Sequence, residues 1–321
     1  MKHFRNVVWV VLMATIACAD KSVVKSGDAD ILSPVPEGAQ ALSLLGQPLG
    51  STTPSAQPSE KYVEAKKNFE ADPSNPDNII WFGRWTAYSG NHREAIRIYT
   101  EGIKKFPTDA RFYRHRGHRD ITLREFDRAV RDLEKAAELI KGTKDEIEPD
   151  GQPNAKNTPI SSLHSNIYYH LALAYYLRND MENALRVSRT GLEISANDDK
   201  IVSTMHWLYM ILRRLGREDE AKRALDPIRA DLNIVENQAY HQLCLFYKGE
   251  IDIDKLTGGS LTGSGGDAVT YGLAHWYLYN GHKDEAKRVY KKILGSPGWA
   301  SFGYIAAEAD WVREFPGEPI K

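Results

Sequence analysis

The sequence predicts an all-α protein, an α-solenoid of about five antiparallel helical hairpins with a lone helix at the start and a capping helix at the end. Three observations predict it. Gly83 and Gly117 stand 34 residues apart, and so do Ala95 and Ala129; a fixed period of roughly 20–50 residues marks stacked repeats. Within each period, small and large apolar residues recur at helical spacing around a glycine turn. A hydrophobic fraction of 42% with 10% aromatics is that of a chain that folds. The two cysteines, Cys18 and Cys244, leave no internal disulfide for the body because Cys18 lies in the leader, so helix packing must hold it.

The first nineteen residues read as an address. Lys2 and Arg5 precede Val7–Ala17, an uncharged, mostly apolar run too short to cross a bilayer as a permanent helix. It ends Ala14-Thr15-Ile16-Ala17-Cys18, which resembles the bacterial lipobox, where small residues precede a cysteine that is acylated and becomes the new N-terminus. Thr15 stands where leucine is usual. The resemblance implies export and a lipid anchor at Cys18 in the cell envelope; Ala17-Cys18-Ala19 also reads as a cleavage site that would release a soluble secreted protein. Residues 20–58 read as a flexible tether, since Ser26–Ser59 carries a Ser/Pro/Gly/Thr/Gln-rich composition. Within it Ala39–Gly46 is apolar enough to form a short helix or to dock on the body.

The first repeat contains Ile79, Phe82 and Gly83, then Gly90 at a turn, Ala95 and Tyr99 on a second helix, and Pro107 at its end. The second keeps Tyr113, Gly117, Ala129, Leu133 and Ala136; the third Tyr168, Leu171, Ala172, Tyr175, Ala184 and Gly191. A fourth has Met205, Leu208, Leu212, Gly216, Ala221 and Leu225, and a last one Leu273, Ala274, Tyr277, Gly281, Ala286 and Tyr290. This pattern resembles the tetratricopeptide repeat over residues 59–315: small residues let paired helices approach, large ones fill the gaps between hairpins, and proline stops the second helix. The departures are Thr86 where a large residue is usual, a degenerate hairpin after Tyr240-x-x-Leu243-Cys244 that shrinks to Asp252–Leu256 before the Gly-rich Thr257–Gly266, and an insertion over 142–159. Ser59–Ala71 reads as a half-repeat helix, Ala300–Phe315 as the cap, and residues 316–321 as a tail.

The resemblance implies that first helices line a groove, with groove-facing residues about fifteen, eleven and eight positions before the repeat alanine. That register selects Arg84, Arg114, His118, Tyr169, Tyr176, His206, Met210, Arg213, Tyr271 and His275, and by extension His241 and Lys248. The set is cationic and aromatic although the chain's formal net charge is −1. Arginine and protonated histidine pair with carboxylates and tyrosines supply flat contact area, so the expected ligand is an acidic or C-terminal segment of a protein partner. The alternative reading packs these Tyr and His residues between helices.

Net neutrality argues against nucleic acid. Asp145, Glu148 and Asp150 in the insertion lack calcium-loop spacing, and His115 with His118 has no third ligand fixed by spacing, so no metal and no cofactor are expected. Cys244, between leucines in a helical pattern, reads as a buried thiol. No phosphate loop, H-E-x-x-H or G-x-S-x-G occurs, which favours a non-catalytic scaffold over an envelope enzyme using groove histidines. A binder of a small anionic ligand or glycan in the same groove is the remaining alternative.

Overall fold

Ser59 fixes where the first helix begins: its hydroxyl accepts the Tyr62 N–H, and α1 runs Glu60–Ala71. Asn75 does the same for α2, Pro76–Tyr88, accepting from the N–H groups of Asp77 and Asn78 with proline in the first turn. There follow α3 (His92–Lys105), α4 (Ala110–Thr122), α5 (Phe126–Leu139), α6 (Leu163–Leu177), α7 (Met181–Glu193), α8 (Asp198–Arg214), α9 (Glu218–Ala224), α10 (Gln238–Lys248), α11 (Ile253–Thr257), α12 (Gly263–Tyr279), α13 (Lys283–Leu294) and α14 (Phe302–Glu314). The computed structural model describes residues 32–50, 58–258 and 263–320. The leader with Cys18, residues 20–31 and 51–57 of the tether, residues 259–262 and residue 321 lie outside the described residues.

The helices α2 to α13 pack as successive hairpins, α2 with α3, α4 with α5, α6 with α7, α8 with α9 and α12 with α13, so the body is an all-α, tetratricopeptide-like solenoid. The repeat alanines Ala95, Ala129, Ala184, Ala221 and Ala286 are fully buried. Gly83 lies directly under the Tyr99 ring, and a Cβ on Gly117 would sit 2.8 Å from Leu133 Cγ; the small residues are what let the paired helices close. At the turns Gly90, Gly216 and Gly281 adopt φ of 85°, 71° and 83°, while Arg124 and Asn179 hold 65° with ordinary side chains.

Two second helices are short. Pro227 stands just beyond the seven-residue α9, and α11 has five residues before Gly258. Residues 226–237 return without a helix. Asp199 pins their end, its carboxylate accepting the N–H groups of Val235, Glu236 and Asn237 at 2.8 Å each.

Part of the expected tether is docked. Residues Ala41–Leu42 (β1) pair antiparallel with Pro48–Leu49 (β2), and Ala39, Ala41 and Leu49 are buried. Gln40 accepts the Arg93 N–H at 3.1 Å, and Gly50 lies against Trp299. The segment forms a hairpin rather than a helix because Gly46, at φ 75°, turns the chain and Pro48 lacks the N–H a helix would need.

The last helix does more than cap. It packs on α12 and α13 and also reaches α6. Among the described residues no helix is long and apolar enough to cross a membrane.

Candidate functional site

The residues selected by the repeat register fall into three zones along the face made by the first helices. Over α2 and α4 the 142–159 insertion covers them. An antiparallel bridge, Ile147 with Ser162, holds its entry, and Glu148 N–H donates to Ser161 O at 2.8 Å. The Arg114 guanidinium meets Glu148 at 3.0 Å and the His115 ring lies 3.7 Å from the same carboxylate. Arg84 donates to the Pro149 carbonyl at 2.8 Å, and Gly151 rests on Tyr88. An extended acidic segment of the chain itself, Glu146-Ile-Glu-Pro-Asp150, thus lies over the arginines predicted to bind one.

Beyond it a cavity of about 540 Å³ opens, bounded by His118 of α4, Tyr169 and His170 of α6, Lys200 of α8, Tyr240 of α10 and Phe302 of α14, with Gln152 of the insertion at its edge. His118 and His170 have ring centroids 4.3 Å apart. His170 Nδ1 donates to the Asn166 carbonyl at 2.6 Å, the role the carbonyl imposes on the ring. Trp207 Nε1 donates to the Tyr169 hydroxyl, which lies 3.0 Å from that of Tyr240.

In the third zone the predicted groove residues are inside the protein. Tyr176, His206, Met210, Tyr271 and His275 are fully buried. His241 is buried with Nε2 donating to the Arg229 carbonyl at 2.8 Å; Arg213 donates to the Tyr279 carbonyl at 2.7 Å and Lys248 to the Ile228 carbonyl at 2.6 Å. The 226–237 return takes up His241 and Lys248, and α14 packs on the α12 part of this zone. Glu308 of α14 meets Arg124 at 2.8 Å, and Asp310 of the same helix is held by Arg214 at 3.1 Å, by Arg313, and by the hydroxyls of Tyr271 and Tyr290 at 2.8 and 3.1 Å. Burial pushes the Asp310 carboxyl up, but Arg214 and Arg313 outweigh it and hold it below the usual range.

The histidines do not supply the charge expected of them. Burial is the chief cause that holds His115, His118, His170 and His275 well below their ordinary value and brings His206 to about 3; Arg114 and Arg119 add repulsion around His115, His118 and His170. At neutral pH the positive charge of this face therefore comes from Arg84, Arg114, Arg119, Arg124, Lys200 and Arg214. The register missed His170, Lys200, Arg124, Glu308 and Asp310. Two acids within the otherwise apolar Phe302–Trp311 were the legible sign of a buried ionic contact.

No model of a protein family matches this chain. It is 24% identical over 140 residues, 44% of its own length, to the BBSome complex member BBS4 of Bos taurus; the match spans only 23% of that protein. Among solved structures it is similar to a tetratricopeptide repeat protein from Parabacteroides merdae (16% identity, 78% of this chain and 91% of that one, TM-score 0.47). It is also similar to PilF of Pseudomonas aeruginosa (13%, 80% and 83%, TM-score 0.44) and to YrrB, a TPR protein with an unusual peptide-binding site (14%, 78% and 98%, TM-score 0.40). The class, a tetratricopeptide-like solenoid, rests on the chain's own hairpins and their packing.

These five histidines and His92, which burial brings down to about 3, stay neutral when folded and give the stability a definite pH dependence. Unfolded, each takes a proton near 6.5; folded, none does until well below that. Stability is therefore complete above about pH 6.5 and falls as the solution is acidified, by up to about 1.4 kcal/mol per pH unit for each histidine. Guanidinium denaturation at about pH 7.5 and about pH 5.5 measures it. His206→Leu should flatten the slope by one histidine's share, and equal stability at both pH values would contradict the assignment.

Proposed function

We propose that this protein is an exported, lipid-anchored, non-catalytic adaptor that holds an acidic, extended segment of a partner protein on its first-helix face. The observation that supports the binding part of this reading is the seat of Glu146–Asp150, whereas export and the anchor rest on the lipobox-like Ala14–Cys18. Arg114 takes the Glu148 carboxylate, Arg84 takes a backbone carbonyl, and Tyr88 supports the chain where a glycine passes. A carboxylate pairing with arginine and a main-chain carbonyl with a second arginine are the contacts an extended acidic ligand would make. The arrangement also sets a condition on the partner, which must displace the insertion to reach Arg84 and Arg114. Effective concentration favours the tethered segment, so an external ligand has to be longer or more acidic than the insertion.

A labelled peptide copying residues 144–152 tests the seat by fluorescence anisotropy. Glu148→Gln weakens the internal segment, so the peptide is expected to bind that variant about tenfold more tightly than the wild type, the share of one part-buried charge-assisted contact. It should lose binding to the Arg84→Ala, Arg114→Ala double variant. Equal affinity for all three proteins would count against the seat. Anchoring is read separately by cell fractionation: wild type should sediment with membranes and Cys18→Ala should not, and identical partition of the two would remove the lipid anchor from the account.

A further inference from the structure

A buried ammonium group needs a counter-charge, and among the described residues Lys200 has no carboxylate in direct contact. It lies in the first turn of α8 with 9% of its surface exposed, at the end of a helix that disfavours a cation. Its Nζ donates to Asn166 Oδ1 at 3.2 Å, and among the described residues no carboxylate comes within 4.0 Å of it.

The acids around it are committed elsewhere. Asp199 is taken up by three backbone N–H groups and Asp198 by that of Asn233. Glu148 serves Arg114 and the Asn166 side-chain amide, and the exposed Glu236 accepts from Asn154. Burial first, then the charge of Arg114, brings the Lys200 amine down to about 8, while Glu236, Glu148 and Asp199 act the other way; the group remains a cation at neutral pH.

This ammonium faces the cavity of about 540 Å³. Opposite it, His118 lines the same space, and neither of its ring nitrogens has a hydrogen bond to protein among the described residues. Tyr240, Phe302, Ala239, Ala268 and Ala300 supply the apolar part of the wall. Volumes of roughly 300–1,000 Å³ with a few converging polar groups suit a small organic ligand. One ammonium with Glu236 nearby matches a single negative charge and not the higher charge of a phosphate.

We infer that this chamber binds a small organic monocarboxylate, with Lys200 as counter-ion, His118 as hydrogen-bond donor and the Tyr240–Phe302 side receiving the apolar body. The chamber adjoins the seat of the acidic segment at Gln152 and Asn166, but Lys200, His118, Tyr240 and Phe302 take no part in that seat.

Phenylacetate, with phenylacetamide as its neutral counterpart, probes it on the full chain by calorimetry and thermal melting. The acid should bind and raise the melting temperature, the amide should do neither, and the His118 and His170 ring signals in NMR should move only with the acid. Lys200→Met should melt at or above the wild-type temperature, because a buried ammonium without a contacting carboxylate is gone, while binding the acid at least about tenfold more weakly. Equal binding of acid and amide, or undiminished binding of the acid by Lys200→Met, would overturn the inference. So would tighter binding of inorganic phosphate or of an N-acetylated alanine tripeptide with a free C-terminus.

Discussion

Glu308 and Asp310 lie fully inside the protein on its last helix, and the arrangement of the first-helix face follows from how they are paired. An isolated carboxylate in such a place costs several kcal/mol, and removing one partner of a buried pair costs about 3–5 kcal/mol. Glu308 is satisfied by Arg124 and by the Leu44 N–H at 2.8 Å, so one carboxylate ties the last helix both to the turn of the second hairpin and to the docked N-terminal hairpin. Asp310 gathers Arg214, Arg313, Tyr271 and Tyr290. These bonds need Arg124 where the first, fourth and last hairpins have Gly90, Gly216 and Gly281. A non-glycine residue at φ 65° is a strained choice, maintained by a guanidinium that also donates to the carbonyls of Thr122 and Trp299.

The insertion between the second and third hairpins and α14 after the last one together occupy the face that first helices would otherwise present to solvent. The insertion covers Arg84 and Arg114, α14 covers Tyr271 and His275, and between them remains the chamber of His118, His170 and Lys200. The two occupants are held differently. Helix α14 is fixed by fully buried pairs and by Ile305, Ala306, Ala307 and Trp311 in the core. The insertion is fixed by one part-buried ion pair, a short bridge and a few hydrogen bonds, and much of its length is exposed. Local opening draws on segments with few buried apolar contacts, so the insertion yields first, which makes the seat beneath it the accessible one.

The repeat was legible because packing imposes it locally: Gly83 under Tyr99 and Ala95 against its partner helix are demands within a single hairpin. The same local register selected Arg84, Arg114, His118 and the other candidate groove residues. What covers them was not legible, because the covering groups lie far away in sequence; Arg124 and Glu308 are 184 residues apart, and no periodicity relates them. The charge state of the histidines was hidden too, since burial sets it and burial depends on α14 and the insertion. Residues 33–50 read as tether by composition, with Ala39–Gly46 apolar enough to dock; they dock through Ala39, Ala41 and Leu49, and the hairpin form was what the Ser/Pro/Gly-rich average concealed. Lys200 escaped notice because it lies a turn and a half before His206, outside the groove register.

Native-state hydrogen exchange of α14 tests the central claim most directly, because a helix at the edge of a repeat stack has fewer packed neighbours than the middle ones and ordinarily opens before them. If buried ionic pairs fasten it across the repeats, the amides of Ile305, Ala306 and Ala307 will exchange as slowly as those of Leu171, Ala172 and Leu173 in α6, through global unfolding alone. Exchange of α14 at fraying rates while α6 stays protected would show that the face is not held closed by its own last helix.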